Sequence, residues 1–442
     1  MDILNLMDTI EAEELAKMNE HLMVGGGTPG PYLVKGKGVR VEDINGKSYI
    51  DCTSQSWALY LGYANDEIRE TVNAHMKNLS HVHQGFGTKS RTMLADKLAS
   101  LAPQGLNRVS FTVGGGSAIE AAMKIAMKNV PGAQNFITLW DAYHGSTLTT
   151  AGASWTSTRA AGHFTGAAAF LPNLNNNFVR VPNPYCYRCY FGKKCDECDL
   201  VCAEMMRHQI EKGVNGPVAG VIVEPIQASG GQIVFPKAYL QKVRRICDEY
   251  GALLIFDEIQ TYCRIGEYFA ADYFGVVPDI IVLGKALGAG LPIAAIIIHD
   301  RLKGFEMKAE ELHTFANNSA SQVAALKQLE IIERDDILEN TKTIGARLRD
   351  GLLALRQKYP QIGDVRQAGL HIGAEMIEPN GAPLDGAAAM KLREGAMEAG
   401  LILGTGGYRK NLLKFKPPLV TNAAEADEIL EKFEKALKKQ WA

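Results

Sequence analysis

Residues 253–258, LLIFDE, and 279–290, DIIVLGKALGAG, share one design. Each is an apolar run without polar alternation, and each ends on a group that can do chemistry: Asp257 in the first, Lys285 in the second. A strand that is apolar along its length is buried on both faces, as in a parallel sheet covered by helices. In such a sheet, ligands bind outside the carboxyl ends of the strands, where both residues fall. A lysine directly after a buried strand is unusual, because most lysines lie on solvated faces. An amine so placed can lose part of its basicity and attack carbonyl carbons. Taken singly, Asp257 also reads as a helix cap or loop hydrogen bond, and Lys285 as a solvated loop cation.

Working outward, the same alternation continues on both sides. NRVSFTV (107–113), NFITLW (135–140), VAGVIVEPI (218–226) and PIAAIIIHD (292–300) read as strands, with helices at SAIEAAMKIAMKNV (117–130) and AYLQKVRRICDEYG (238–251). The expected fold class is therefore α/β, a mostly parallel sheet in a large domain. After about residue 325 the texture shifts to helix, short strands and helix, a smaller α+β domain. The expected division is 1–55 as an N-terminal segment, 56–325 as the large domain, and 326–442 as the small one. The first segment reads as one helix and a strand pair turning at Asn45-Gly46.

The other strand ends also carry chemistry. FTVGGGSAIE (111–120) sets three glycines between a strand and a helix. Ser117 and Glu120 have capping-box spacing, so the helix is expected to begin there, and its free backbone N–H groups and positive dipole end make a phosphate seat. A tight connection without ligand is the plainer alternative. The pattern is neither GxGxxG nor a P-loop, so no dinucleotide or ATP follows. Tyr143 and His144, after NFITLW, offer an aromatic plate, although an aromatic there is also ordinary core. A phosphate seat, a plate, a carboxylate and a buried amine at successive strand ends together describe a site for pyridoxal 5'-phosphate.

With 442 residues, net charge -2, 46% hydrophobic and 22% charged residues, the chain has no basic footprint for nucleic acid. No apolar run reaches the ~18 residues of a membrane span. The acidic, amphipathic N-terminus is the wrong chemistry for a leader, so a cytoplasmic location is expected.

The chain resembles the class III pyridoxal-phosphate aminotransferases, the ornithine, 4-aminobutyrate and ω-amine transaminase group. LLIFDEIQT followed by PDIIVLGKALGAGLP is similar to the family's most specific signature; VIVEPIQASGG resembles its EP-[IV]-Q segment and GVRVEDINGKSYIDC its first strands. The resemblance implies fold type I and a homodimer with shared active sites. It implies an enzyme that moves an amino group from an amine or amino acid to a 2-oxo acid in ping-pong half-reactions. Lys285 is then the Schiff-base lysine and Asp257 the partner of the pyridine nitrogen. Gly115, Gly116 and Ser117 hold phosphate, and Tyr143, beside His144, stacks on the ring. Gln260 lies near the phenolic oxygen, Glu224 faces the substrate, and Thr314 reaches the neighbouring subunit's phosphate. Trp57 lines the substrate pocket.

This sequence departs from the pattern in four places. DEIQTYCRIG is one residue shorter than DE-V-Q-T-G-x-G-R-T-G. LGYANDEI lacks the common His-Pro, and Ser146 stands where many relatives have arginine. NLLKFKPPL places Lys414 where many members grip the substrate carboxylate with arginine, and Arg409 is the other candidate. Both also read as solvated loop cations. The same constellation would serve a racemase or epimerase if the proton returns from the opposite face, or a decarboxylase. A metal or redox protein on a retired scaffold is the non-enzymatic alternative. Its motif is CYRCYFGKKCDECDLVC (186–202), inside an expected insertion at 183–204. There Cys186, Cys189, Cys195 and Cys198 have metal-ligand spacing, free or redox-active thiols being the other reading.

Overall fold

The apolar runs of the sequence become the strands of one seven-stranded sheet. A computed structural model of the chain describes residues 2–23, 30–154, 177–306 and 310–441. In chain order its strands are β1 (Leu33–Lys37), β2 (Arg40–Asp43), β3 (Ser48–Asp51), β4 (Leu106–Thr112), β5 (Asn135–Leu139), β6 (Phe178–Val181), β7 (Val218–Val223), β8 (Ile226–Gln227) and β9 (Ile233–Val234). There follow β10 (Leu253–Asp257), β11 (Ile280–Leu283), β12 (Ala294–His299), β13 (Ile362–Ala368), β14 (His371–Met376), β15 (Leu401–Ile402), β16 (Gly404–Gly406) and β17 (Leu412–Phe415). The large sheet has the order β4-β12-β11-β10-β7-β5-β6. Only β12 runs against its neighbours; β11, β10, β7, β5 and β6 pair in parallel.

Side-chain alternation explains why β7, β10 and β11 have no polar face. Along β10, Leu253 and Ile255 join one buried cluster while Leu254 and Phe256 join the other, across the sheet. The first cluster packs on helix Gly115–Asn129, whose inward face is Ala118, Ile119, Ala121, Ala122, Ile125 and Ala126. Small alanines let that helix sit close to the sheet. The second packs on helix Lys237–Tyr250 through Tyr239, Leu240, Val243, Ile246 and Cys247, at helical spacing. That helix stops at Gly251, in the left-handed conformation (φ 67°) that glycine takes at least cost. Truncating a side chain such as Ile255, with none of its surface exposed, costs about 2–5 kcal/mol. The framework that aims the strand ends is therefore rigid.

Residues beyond 319 begin with helices Ser319–Arg334 and Ile337–Lys358, then an antiparallel sheet β13-β14-β17-β16 closed by helices Gly386–Glu398 and Ala423–Trp441. The N-terminal reading needs correction. Two short helices, Ile3–Thr9 and Ala12–Met18, replace the single one expected, and three strands replace the pair. Moreover β3 pairs in parallel with β15, so the first strands extend a sheet from the far end of the chain. At the hairpin, Gly46 alone has positive φ (79°) and its N–H returns to Asp43 O. Asp43 Oδ1 accepts from the N–H groups of Asn45 and Lys47, which makes the turn longer than the two-residue form expected. Among the described residues, no helix is long and apolar enough to cross a membrane.

Candidate active site

The carboxyl ends of β4, β5, β7, β10 and β11 open on one cavity of about 390 Å³. Its walls include Gly114 to Ser117, Tyr143 to Thr147, Glu224, Asp257, Gln260 and Lys285. Sequence positions spread over 170 residues thus meet because parallel strands end on the same side.

After β4 the expected capping box is absent. Helix Gly115–Asn129 begins two residues early, with extended Gly114 as its cap and no side chain on its first N–H groups. Ser117 Oγ donates instead to Gly114 O at 2.8 Å, and Glu120 accepts from Thr147 Oγ1. With glycine at the cap there is no side-chain oxygen to compete, so the helix end keeps its N–H groups and its positive dipole for an anion. Close approach is enforced: a Cβ on Gly115 would meet Ile259 Cδ1 at 2.7 Å, and one on Gly145 would meet Thr150 Oγ1 at 2.6 Å.

Asp257 is held at both oxygens. Oδ1 accepts from Ile259 N–H at 3.2 Å, and Oδ2 lies 2.8 Å from His144 Nδ1. Among the described residues His144 Nε2 is buried without a hydrogen-bond partner. The backbone N–H of Tyr143 donates to Glu224 Oε1 at 2.9 Å, and Ala228 N–H donates to Oε2. Burial pushes the Glu224 carboxyl up to about 7, against the pull of His144 and those two N–H groups.

Lys285 sits in a strained backbone conformation (φ 45°) after extended Gly284, of the kind that concentrates at functional sites. Its amine is buried, and the loss of water lowers its pKa despite the attraction of Asp257 and Glu224. Nζ lies 5.8 Å from the centre of the Trp57 ring. Trp57 itself ends a left-handed turn in which Ser54, Gln55, Ser56 and Trp57 all have φ between 45° and 67°. Asp51 braces that turn by accepting from the N–H groups of Thr53 and Gln55.

Lys414 and Lys416 also converge on Trp57, with amines 5.0 and 4.6 Å from the ring centre. Burial foremost, and Lys285 in addition, bring Lys414 down to about 8, while Glu224 opposes the shift. Arg409 lies elsewhere: it is exposed and lines a separate cavity with Arg188, Arg366, Glu375 and Tyr408. Thr314 is exposed and outside the cavity wall. The shortened loop after Asp257 sends Arg264 inward, where Nη1 donates to Leu370 O and Pro417 O and Nη2 to Ser54 Oγ. Sequence reasoning missed Lys416, His371, Asp51 and Arg264. A lysine inside the apolar run FKPPL was the one signal available.

The cysteines occupy two matching 3-10 turns, Cys186–Arg188 and Cys195–Glu197, capped by Cys189 and Cys198. All eight cysteines are free, and among the described residues no three donors are already spaced to hold a metal ion. The segment anchors through Arg188 Nε to Glu375 (2.6 Å) and Tyr190 OH to Asp141 (3.0 Å).

The residues fit a phosphorylated pyridine aldehyde. The uncapped helix end, a braced carboxylate, an amine of lowered basicity and the aromatic Tyr143 all line the one cavity. Comparison with known proteins points the same way. The family model described as Aminotransferase class-III matches residues 27–437. The chain is 33% identical to the leucine/methionine racemase of Thermococcus litoralis, over 91% of this chain and 90% of that protein. It is also 33% identical to the diaminobutyrate–2-oxoglutarate aminotransferase of Rhizobium meliloti, over 90% and 86%. A solved (S)-enantioselective ω-transaminase from Thermomicrobium roseum superposes with TM-score 0.88 at 26% identity, covering 98% of this chain and 100% of that one. An amine transaminase from an uncultivated Pseudomonas species, solved in its PLP-bound form, gives 0.84 at 26% over 95% and 98%.

Proposed function

The chain belongs to the class-III aminotransferases, pyridoxal-phosphate enzymes of fold type I acting on amines or amino acids and 2-oxo acids, and from that premise we propose how its own residues divide the work. When bound, the cofactor supplies the electron sink that makes a proton at the donor's Cα removable. Lys285 Nζ would hold the cofactor, and as a free amine it would take that Cα proton and later give it up. Its lowered basicity leaves part of the amine unprotonated and able to accept. Asp257 keeps a proton on the ring nitrogen, and His144 fixes the carboxylate's direction. The N–H groups of Gly115, Gly116 and Ser117 bind the phosphate. Tyr143 covers the ring, its backbone pinned by Glu224, and Gln260 donates to the phenolic oxygen. Lys414 holds the substrate carboxylate as a point charge, without the fork an arginine offers, against the wall made by Trp57. Arg409 belongs at the rim of the neighbouring cavity.

Thr314 serves the partner's phosphate in a homodimer; its exposure, away from its own cavity, supports that assignment. Five unpaired thiols in one surface segment suit a reducing cytoplasm. The observation that carries the reading is the convergence of Lys285, Asp257 and the uncapped helix end on one cavity. Borohydride reduction of the loaded enzyme, followed by peptide mapping, tests it. The label belongs on Lys285; a label on Lys414 or Lys416, the other buried amines, would overturn the assignment.

Racemisation is the second reading, favoured by the 33% identity to a leucine/methionine racemase. It needs no 2-oxo acid, but it needs a proton carrier on the face of the substrate away from Lys285.

A further inference from the structure

Lys416 is the least expected residue near the site. None of its surface is exposed, and among the described residues no carboxylate pairs with it. Its backbone is locked, with Lys416 N–H on Cys52 O, Ser54 Oγ on Lys416 O, and two prolines following. From there Nζ reaches Gln260 Oε1 at 3.0 Å and His371 Nε2 at 2.9 Å. The charged groups around it are Lys414 from β17, Arg264 from the loop after β10, Lys285 after β11 and, more weakly, Glu224 after β7. Three of the four are cations. Burial foremost, and nearby cations in addition, lower the pKa of the amine and of His371, whose Nδ1 is buried with no partner among the described residues. An apolar side chain would fill this space without burying an amine, which is costly unless it makes hydrogen bonds. The amine therefore has a task that packing alone does not give it.

That task can be read from Gln260, which lines the cavity while Lys416 does not. An amide presents an acceptor and a donor that are nearly the same shape. Once Oε1 is occupied by the Lys416 amine, the other end of the amide faces the cavity as an N–H donor. We propose that Lys416, braced by His371, is a positioning residue that fixes the Gln260 amide with its NH2 toward the cofactor's phenolic oxygen. The inference rests on the reading of Gln260 given above. A donor aimed at that oxygen favours the form in which it carries full negative charge. It thereby lowers the pH at which the visible band of the cofactor-loaded enzyme changes.

The test is a spectrophotometric pH titration of the loaded enzyme in four forms: parent, Gln260→Leu, Lys416→Met and the double variant, with Lys416→Gln in parallel. Gln260→Leu raises the midpoint by about one pH unit, a tenfold change in proton affinity, and Lys416→Met raises it nearly as far. The double variant matches Gln260→Leu alone, because Lys416 acts only through the amide. Lys416→Gln, which keeps an N–H donor at the spot and tolerates the polar surroundings, stays near the parent. An unmoved midpoint in Gln260→Leu would refute both the Gln260 reading and this one. A shift there with none in Lys416→Met, additive shifts in the double variant, or a full shift in Lys416→Gln would refute the role of Lys416 alone.

Discussion

Three amines face one indole, and their unequal basicity gives each a different use. In the proposed function Lys285 is the reacting amine; Lys416 is bonded to Gln260 and His371, while Lys414, brought down to about 8, has no hydrogen-bond partner among the described residues. Below that pH Lys414 is charged and, in the proposed role, grips a carboxylate; above it the charge is lost. KM for an amino-acid donor should therefore rise above pH 8, by up to tenfold per unit, while KM for an amine without a carboxylate stays flat. Lys414→Arg, charged throughout, removes the rise, and Lys414→Met raises the amino-acid KM about 10- to 100-fold at pH 7. Steady-state kinetics across pH 6.5–9.5 with both donor types read all three outcomes. Lys285, Asp257 and Gly115 were legible because each lies at or just beyond the carboxyl end of a strand of the large sheet, where parallel strands bring such groups together. Lys416 was not, because its meaning depends on Gln260 and His371, 156 and 45 residues away, contacts that no local pattern encodes.

At the scale of elements, the sheet was legible and its connections were not. Period-one hydrophobicity in β7, β10 and β11 announces burial on both faces, and both faces are buried. The left-handed turn at Ser54–Trp57 has no such signature, since TSQSW contains neither glycine nor proline. It exists because Asp51 bonds its N–H groups, Ser54 bonds Lys416 O, and Arg264 bonds Ser54. Each non-glycine residue there costs about 1–2 kcal/mol. Ser56 is exposed at φ 60° and carries no side-chain hydrogen bond. Ser56→Gly should thus raise the unfolding free energy by about 1 kcal/mol and leave kcat unchanged, as urea denaturation and activity assays will show. The failed capping box teaches a related lesson. S-x-x-E spacing was present, but Gly114 took the cap, leaving Ser117 and Glu120 to bond elsewhere.

For the whole molecule, each site should draw on two chains, Lys285 from one and Thr314 from the other. Lys285→Ala and Thr314→Asp are then each inactive or nearly so, the second because it sets a negative charge against phosphate. Mixed after dissociation and reassociation, they should recover about a quarter of parental activity, since half the dimers are hybrids and each hybrid holds one intact site. Recovery that fails while hybrids form, as seen by native mass spectrometry, would place Thr314 outside the partner's site. The five clustered cysteines stay apart from this chemistry. Their segment is anchored to Asp141 by Tyr190 and to Glu375 by Arg188, and none of the five lines the cavity around Lys285.

The central claim is that Lys285 hands the Cα proton on so that the amino group leaves for a 2-oxo acid, and does not return the proton to Cα from the other face. Incubating the loaded enzyme with single-enantiomer amino acids, with and without pyruvate or 2-oxoglutarate, and following product by chiral chromatography measures that choice directly. A new amino acid should form from the acceptor in step with donor loss, with no inversion of the donor when the acceptor is left out. Inversion at a comparable rate without any acceptor would contradict the claim.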